Sequence, residues 1–76
     1  ICISSSGQSK NIINGAKFAK KIGCKVVTLT GFNKDNKVRK IGHINLWLDS
    51  KNYNLVEMTH HIWLLAIVDF MSKAKY

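Results

Sequence analysis

The chain contains no proline, two cysteines and four acidic side chains among its 76 residues. Two cysteines allow one disulfide at most, and Cys2 and Cys24 have the spacing of neither a zinc ribbon nor a CxxC redox pair. Each opens an apolar, strand-like stretch, so both are expected to be reduced thiols that pack as small apolar groups. A unit this short with no covalent or metal staple is marginal alone and rests on what core it can build. Long apolar runs are absent too. The longest, Ile62 to Val68, falls well below the roughly 20 residues that a membrane-spanning helix needs. Ile1 opens directly into a strand-like run with no basic leader before it. The expectation is a soluble, cytoplasmic protein without membrane contact.

With so few acids, twelve lysines and arginines leave a formal charge of +8. Such a balance favours anionic partners such as nucleic acid or a phosphorylated small molecule. The lysines are spread along the chain, however, and only Lys37 to Lys40 is densely basic. Phe18, Trp47, Trp63 and Phe70 fall within strand or helix periodicity, where core or interface residues belong. A single-strand stacking platform would interleave exposed aromatics with basic residues. A basic module that binds nucleic acid is therefore the lesser reading.

What is present is an alternation of periods. Ile1-Cys2-Ile3 reads as a buried strand that ends in the small-residue turn Ser4-Ser5-Ser6-Gly7. From Ser9 to Ile22 the period becomes helical, with Ile12, Ile13, Ala16, Ala19 and Ile22 on one stripe. Ser9 is the expected N-cap and Gly23 the expected glycine after the C-cap. Lys25 to Thr30 is a second strand. Lys37 to Ile41 has room for a helical turn or two, and His43 to Leu48 alternates as a third strand, with Ile44, Leu46 and Leu48 on one face. Leu55 to Lys73 is the longest helix, with Asn54 as its expected cap. The order β-α-β-α-β-α argues a parallel sheet covered by helices. The last helix is apolar almost all round and needs cover on more than one side. A further part of the domain or a second copy would supply it.

The chemistry concentrates in Ser4-Ser5-Ser6-Gly7-Gln8-Ser9. A strand that turns into a helix here sets backbone N–H groups at the positive end of the helix dipole, which favours an anion. Serine hydroxyls add neutral donors, and Gly7 permits a tight turn. In open parallel sheets ligands bind at this carboxyl edge. The same spacing also suits a plain capped turn, and the residues alone leave both readings open.

Ile3-Ser4-Ser5-Ser6-Gly7-Gln8-Ser9-Lys10-Asn11-Ile12-Ile13 resembles the signature of the sugar-isomerase (SIS) family, a strand, then S-x-S-G-x-S/T-x-N, then a helix. The match continues through Ala16, Ala19-Lys20-Lys21, Gly23 and Val26-Val27-Thr28-Leu29-Thr30-Gly31. Lys37-Val38-Arg39-Lys40-Ile41, Ile44 and Val56-Glu57 are similar to its phosphoheptose-isomerase branch. The resemblance implies a three-layer αβα fold with a parallel sheet, flavodoxin-like, of which residues 1–76 form the C-terminal portion. About three strands and three helices of it would be present. It implies phosphosugar recognition by Ser4, Ser5, Ser6 and Ser9, and oligomer contacts near the last helix; no cofactor is expected.

Glu57, His60 and His61 are the candidate acid/base residues. Spacings of three and four place Glu57 on the helix face of both histidines, where a carboxylate and an imidazole could move a proton. A metal site normally needs three protein ligands, and none is expected. In the isomerase branch this helix carries a Gln-Glu-x-His-x-x-x-x-His run. Glu57, Met58 and His60 take its first positions, and Leu65 stands where the final histidine belongs. Leucine neither ligates a metal nor transfers a proton. Two functions are thus expected of such a domain: ketose–aldose isomerisation of a sugar phosphate, or sugar-phosphate sensing without catalysis. His43, alone at a strand start, is expected to be structural.

Overall fold

In the computed structural model, which describes residues 1–74 (side chains to Lys73), three strands form one parallel sheet. β1 (Cys2–Ile3), β2 (Val27–Thr30) and β3 (Ile44–Trp47) lie side by side in that order, joined by α1 (Lys10–Lys21) and followed by α2 (Tyr53–Ala74). Cys2 pairs with Thr28, and Val27 to Thr30 pair in register with Ile44 to Trp47. This is the expected parallel α/β arrangement. Helix is confined to α1 and α2 among the described residues. Lys37 to Ile41 forms consecutive turns instead, closed by the Ile41 N–H on the Val38 carbonyl.

β2 is central, so successive side chains are enclosed on both faces: Thr28, Leu29 and Thr30 are all fully buried. Two buried threonines keep their hydroxyls satisfied. Thr28 Oγ1 donates to Asn45 Oδ1 at 2.6 Å, and Thr30 Oγ1 accepts from Asn36 Nδ2 at 3.1 Å. The apolar core is small: Ile13 and Ala16 from α1, Val26 and Leu29 around β2, Val38 from the crossover, Val56 from α2. His43 is structural, as expected. Its Nδ1 accepts from the Val26 N–H at 3.0 Å, and its own N–H donates to the Val26 carbonyl, which seals the start of β2.

The α1 stripe is narrower than its sequence spacing. Ile13 and Ala16 are buried, whereas Ile22 is exposed at the helix end. That end is a Schellman cap: Gly23 has φ +92°, its N–H donates to the Lys20 carbonyl, and Cys24 donates to Ala19. Ser9 holds the N-cap position without a side-chain cap bond. α2 begins earlier than expected. Asn52, not Asn54, is its cap: Asn52 Oδ1 accepts from the Leu55 N–H at 3.2 Å, while its carbonyl accepts from Val56. Phe18 and Phe70, expected in the core or an interface, are exposed in this chain. Cys2 and Cys24 are free thiols, half-buried and exposed respectively. No helix among the described residues is long and apolar enough to cross a membrane.

Candidate functional site

The serine turn begins where the β1 ladder ends, with the Ser4 N–H on the Leu29 carbonyl at 3.0 Å. Ser4 is buried, and both its carbonyl and its hydroxyl accept from the Gly7 N–H, at 3.2 and 3.1 Å. Ser6 Oγ accepts from the Gln8 N–H at 3.2 Å, an ordinary serine turn. The chain can fold back this tightly because Gly7 sits at φ +68°. A Cβ there would also penetrate the Asn36 carboxamide.

Asn36 is the turn's support. It is fully buried; its Nδ2 meets Thr30 Oγ1 and the carbonyls of Gly31 and Asn33, and its Oδ1 accepts from the Arg39 N–H. The Val38 N–H donates to the Gly7 carbonyl at 3.0 Å. The crossover between β2 and β3 therefore grips the serine turn from behind. Nothing in the sequence distinguishes Asn36 from Asn33 or Asn54, because its role depends on contacts between three separate segments.

α2 enters the same region through Val56 and His60. Val56 packs against Gly31, where a Cβ would lie 2.7 Å from the valine. His60 is only 2% exposed, and its Nε2 donates to the Thr30 carbonyl at 2.9 Å. Its Nδ1 is buried with no hydrogen-bond partner among the described residues. Its ring lies 5.8 Å from that of Trp63, centroid to centroid. Glu57 and His61 are exposed on the same helix.

The two features meet. One cleft of about 520 Å³ is lined by Ser4, Ser5 and Ser9 from the β1–α1 turn and by Tyr53, Glu57, His60 and His61 from α2. Ile3, Ile12, Met58 and Leu64 complete its wall. Of the seven residues singled out from sequence, Ser6 alone lies off the cleft. Ser9, whose hydroxyl was expected to cap α1, makes no such bond and stands on the cleft instead. Tyr53 and Ile12 line it as well, the first because α2 starts two residues earlier than the sequence pattern indicates. Among the described residues, no three His, Cys, Asp or Glu side chains converge to hold a metal ion.

A parallel α/β unit with a cleft at the carboxyl ends of its strands has the arrangement in which open parallel sheets place their ligand sites. The particular likeness is to phosphoheptose isomerases. The chain is 38% identical over 60 residues to the phosphoheptose isomerase of Aliarcobacter butzleri, a stretch that covers 79% of this chain and 31% of that protein. It is 33% identical over 58 residues to a probable phosphoheptose isomerase of Thermoplasma volcanium, covering 76% of this chain and 29% of the relative. The corresponding protein of Thermoplasma acidophilum is 36% identical over 58 residues, with 76% and 31% covered. The chain thus spans less than a third of the length of the curated relatives it matches. No family model and no solved structure matches it.

Proposed function

We propose that this chain is the phosphosugar-binding C-terminal part of an SIS-type sugar-phosphate isomerase domain. The observation that carries the reading is the cleft shared by the serine turn and the Glu57–His61 stretch of α2. Ser5 and Ser9 offer hydroxyls beside the N-terminus of α1, whose first N–H groups have no partner within the helix. A phosphate held there leaves the sugar pointing at Glu57 and His61. A carboxylate and an imidazole across the cleft suit the proton shuttle of a ketose–aldose interconversion between C1 and C2. The named activity of the relatives supports the same class of substrate.

Leu65 favours a second reading, in which the ligand is bound and sensed without being isomerised. Its side chain is exposed and lies off the cleft, so this position brings no acid or base to a bound sugar. Titration calorimetry with a heptose phosphate and the matching unphosphorylated heptose tests the binding. Only the phosphate ester should bind, and Ser5→Ala with Ser9→Ala should weaken it at least tenfold. Equal affinity for both sugars would sink the proposal. An isomerisation assay on the bound ketose, followed by NMR, then separates enzyme from sensor.

A further inference from the structure

We propose that the adjacent histidines of α2 divide two tasks: His60 is a positioning residue that clamps α2 to the end of β2, and His61 is the histidine that meets a ligand. The second half deepens the phosphosugar reading and rests on it, whereas the first half stands on geometry alone. The Thr30 carbonyl receives two donors, the Leu48 N–H at 3.1 Å and His60 Nε2 at 2.9 Å. A carbonyl oxygen has two lone pairs and can only accept, so both are used and Nε2 must carry the hydrogen. That hydrogen is committed to β2 and cannot pass to a substrate without undocking the helix. Nδ1 is buried and unpartnered, and His60 as a whole is 2% exposed.

The clamp sits at a junction. Through its carbonyl Thr30 holds β3 and α2, and through its hydroxyl it holds Asn36, the residue behind the serine turn. Fixing His60 to Thr30 therefore fixes the spacing between the serine turn and the exposed side chains of α2. His61 is turned about 100° from His60 around the helix and lies one turn beyond Glu57. Both are exposed and both line the cleft. Among the described residues, Glu57, His60 and His61 are the only His, Cys, Asp or Glu side chains on it. With His60 committed, proton transfer at this site falls to Glu57 and His61.

Nitrogen-15 NMR of the full chain, labelled at histidine, tests the division. His60 should show one fixed tautomer, with hydrogen on Nε2 and a bare Nδ1; an Nδ1–H tautomer or averaging between the two overturns the clamp. His60→Gln keeps a donor near the position of Nε2 and should leave the amide signals of Ser5, Ser9, Glu57 and His61 in place. His60→Leu removes the donor and should displace them, and unshifted cleft amides in that variant also overturn the clamp. If the leucine variant does not fold, the tautomer of the unaltered chain still decides. With glucose 6-phosphate as probe, the His61 ring signals should move and those of His60 should not; the reverse refutes the division. If neither ring nor the serine amides respond, the phosphosugar reading and the ligand role of His61 fail together, while the tautomer decides the clamp separately.

Discussion

A methyl group added at Gly7 meets two obstacles at once. The backbone is in the left-handed region, at φ +68°, and the new carbon would enter the Asn36 side chain. A left-handed non-glycine residue costs about 1–2 kcal/mol and overpacking typically another 1–3. Gly7→Ala should therefore destabilise the fold by about 2–5 kcal/mol in urea unfolding and loosen the serine turn with it. Gly15, in the middle of α1, has open space where a Cβ would go. Gly15→Ala should stabilise by about 0.5–1 kcal/mol in the same experiment, from helix propensity alone. The thiols make another contrast at this scale. Without a reductant, a maleimide should label the exposed Cys24 quickly and the half-buried Cys2 slowly; a chain that resists labelling at both would instead carry a bridge. The serine turn itself was legible in the sequence, because Ser, Gly and a following helical period are local signals. Asn36 and the Thr30 carbonyl were not, since one acts through a long-range contact and the other through a backbone atom that every residue possesses.

Elements were legible in kind and less so at their ends. The parallel order of β1, β2 and β3 follows from strand-like runs separated by crossovers too long for hairpins. Lys37 to Ile41 carries helix-forming residues, yet it is held as turns by Asn36 and by the Val38–Gly7 bond, so tertiary contacts outweigh its weak local preference. The start of α2 turned on a choice between two asparagines, and side-chain geometry decides for Asn52. Replacing a cap of this kind by alanine costs about 1 kcal/mol. Asn52→Ala should lower stability by about that amount, while Asn54→Ala, inside the first turn, should leave it unchanged or raise it slightly. Equal losses at both positions would count against Asn52 as the cap.

At the scale of the whole molecule, the proportions are those of a body that has not closed on itself. Its radius of gyration is 12.7 Å, against about 11.4 Å for a compact domain of this length. Its accessible surface is 5456 Å², about 750 Å² more than the size scaling for folded monomers gives. The surplus is close to the roughly 800 Å² that each partner contributes to an ordinary protein interface. On α2, Leu55, Met58, Ile62, Leu65, Val68, Phe70 and Met71 are each more than half exposed. Burial of such a side chain is worth about 1.5–3 kcal/mol, so this face has strong cause to find cover. The basic surface does not prevent it, because the only charged side chains on the described part of α2 are Glu57, Asp69 and Lys73, apart from its histidines, and the last two pair at 3.1 Å. We expect the chain to associate with a second copy through α2. Sedimentation velocity at tens of micromolar should show a concentration-dependent oligomer, and Ile62→Lys with Leu65→Lys should return it to a monomer without loss of helix by circular dichroism. Ile62 and Leu65 are more than half exposed in the single chain and lie outside its buried core, so the substitutions leave that core intact. A folded monomer at every concentration, before any substitution, would rule out self-association as the cover for this helix.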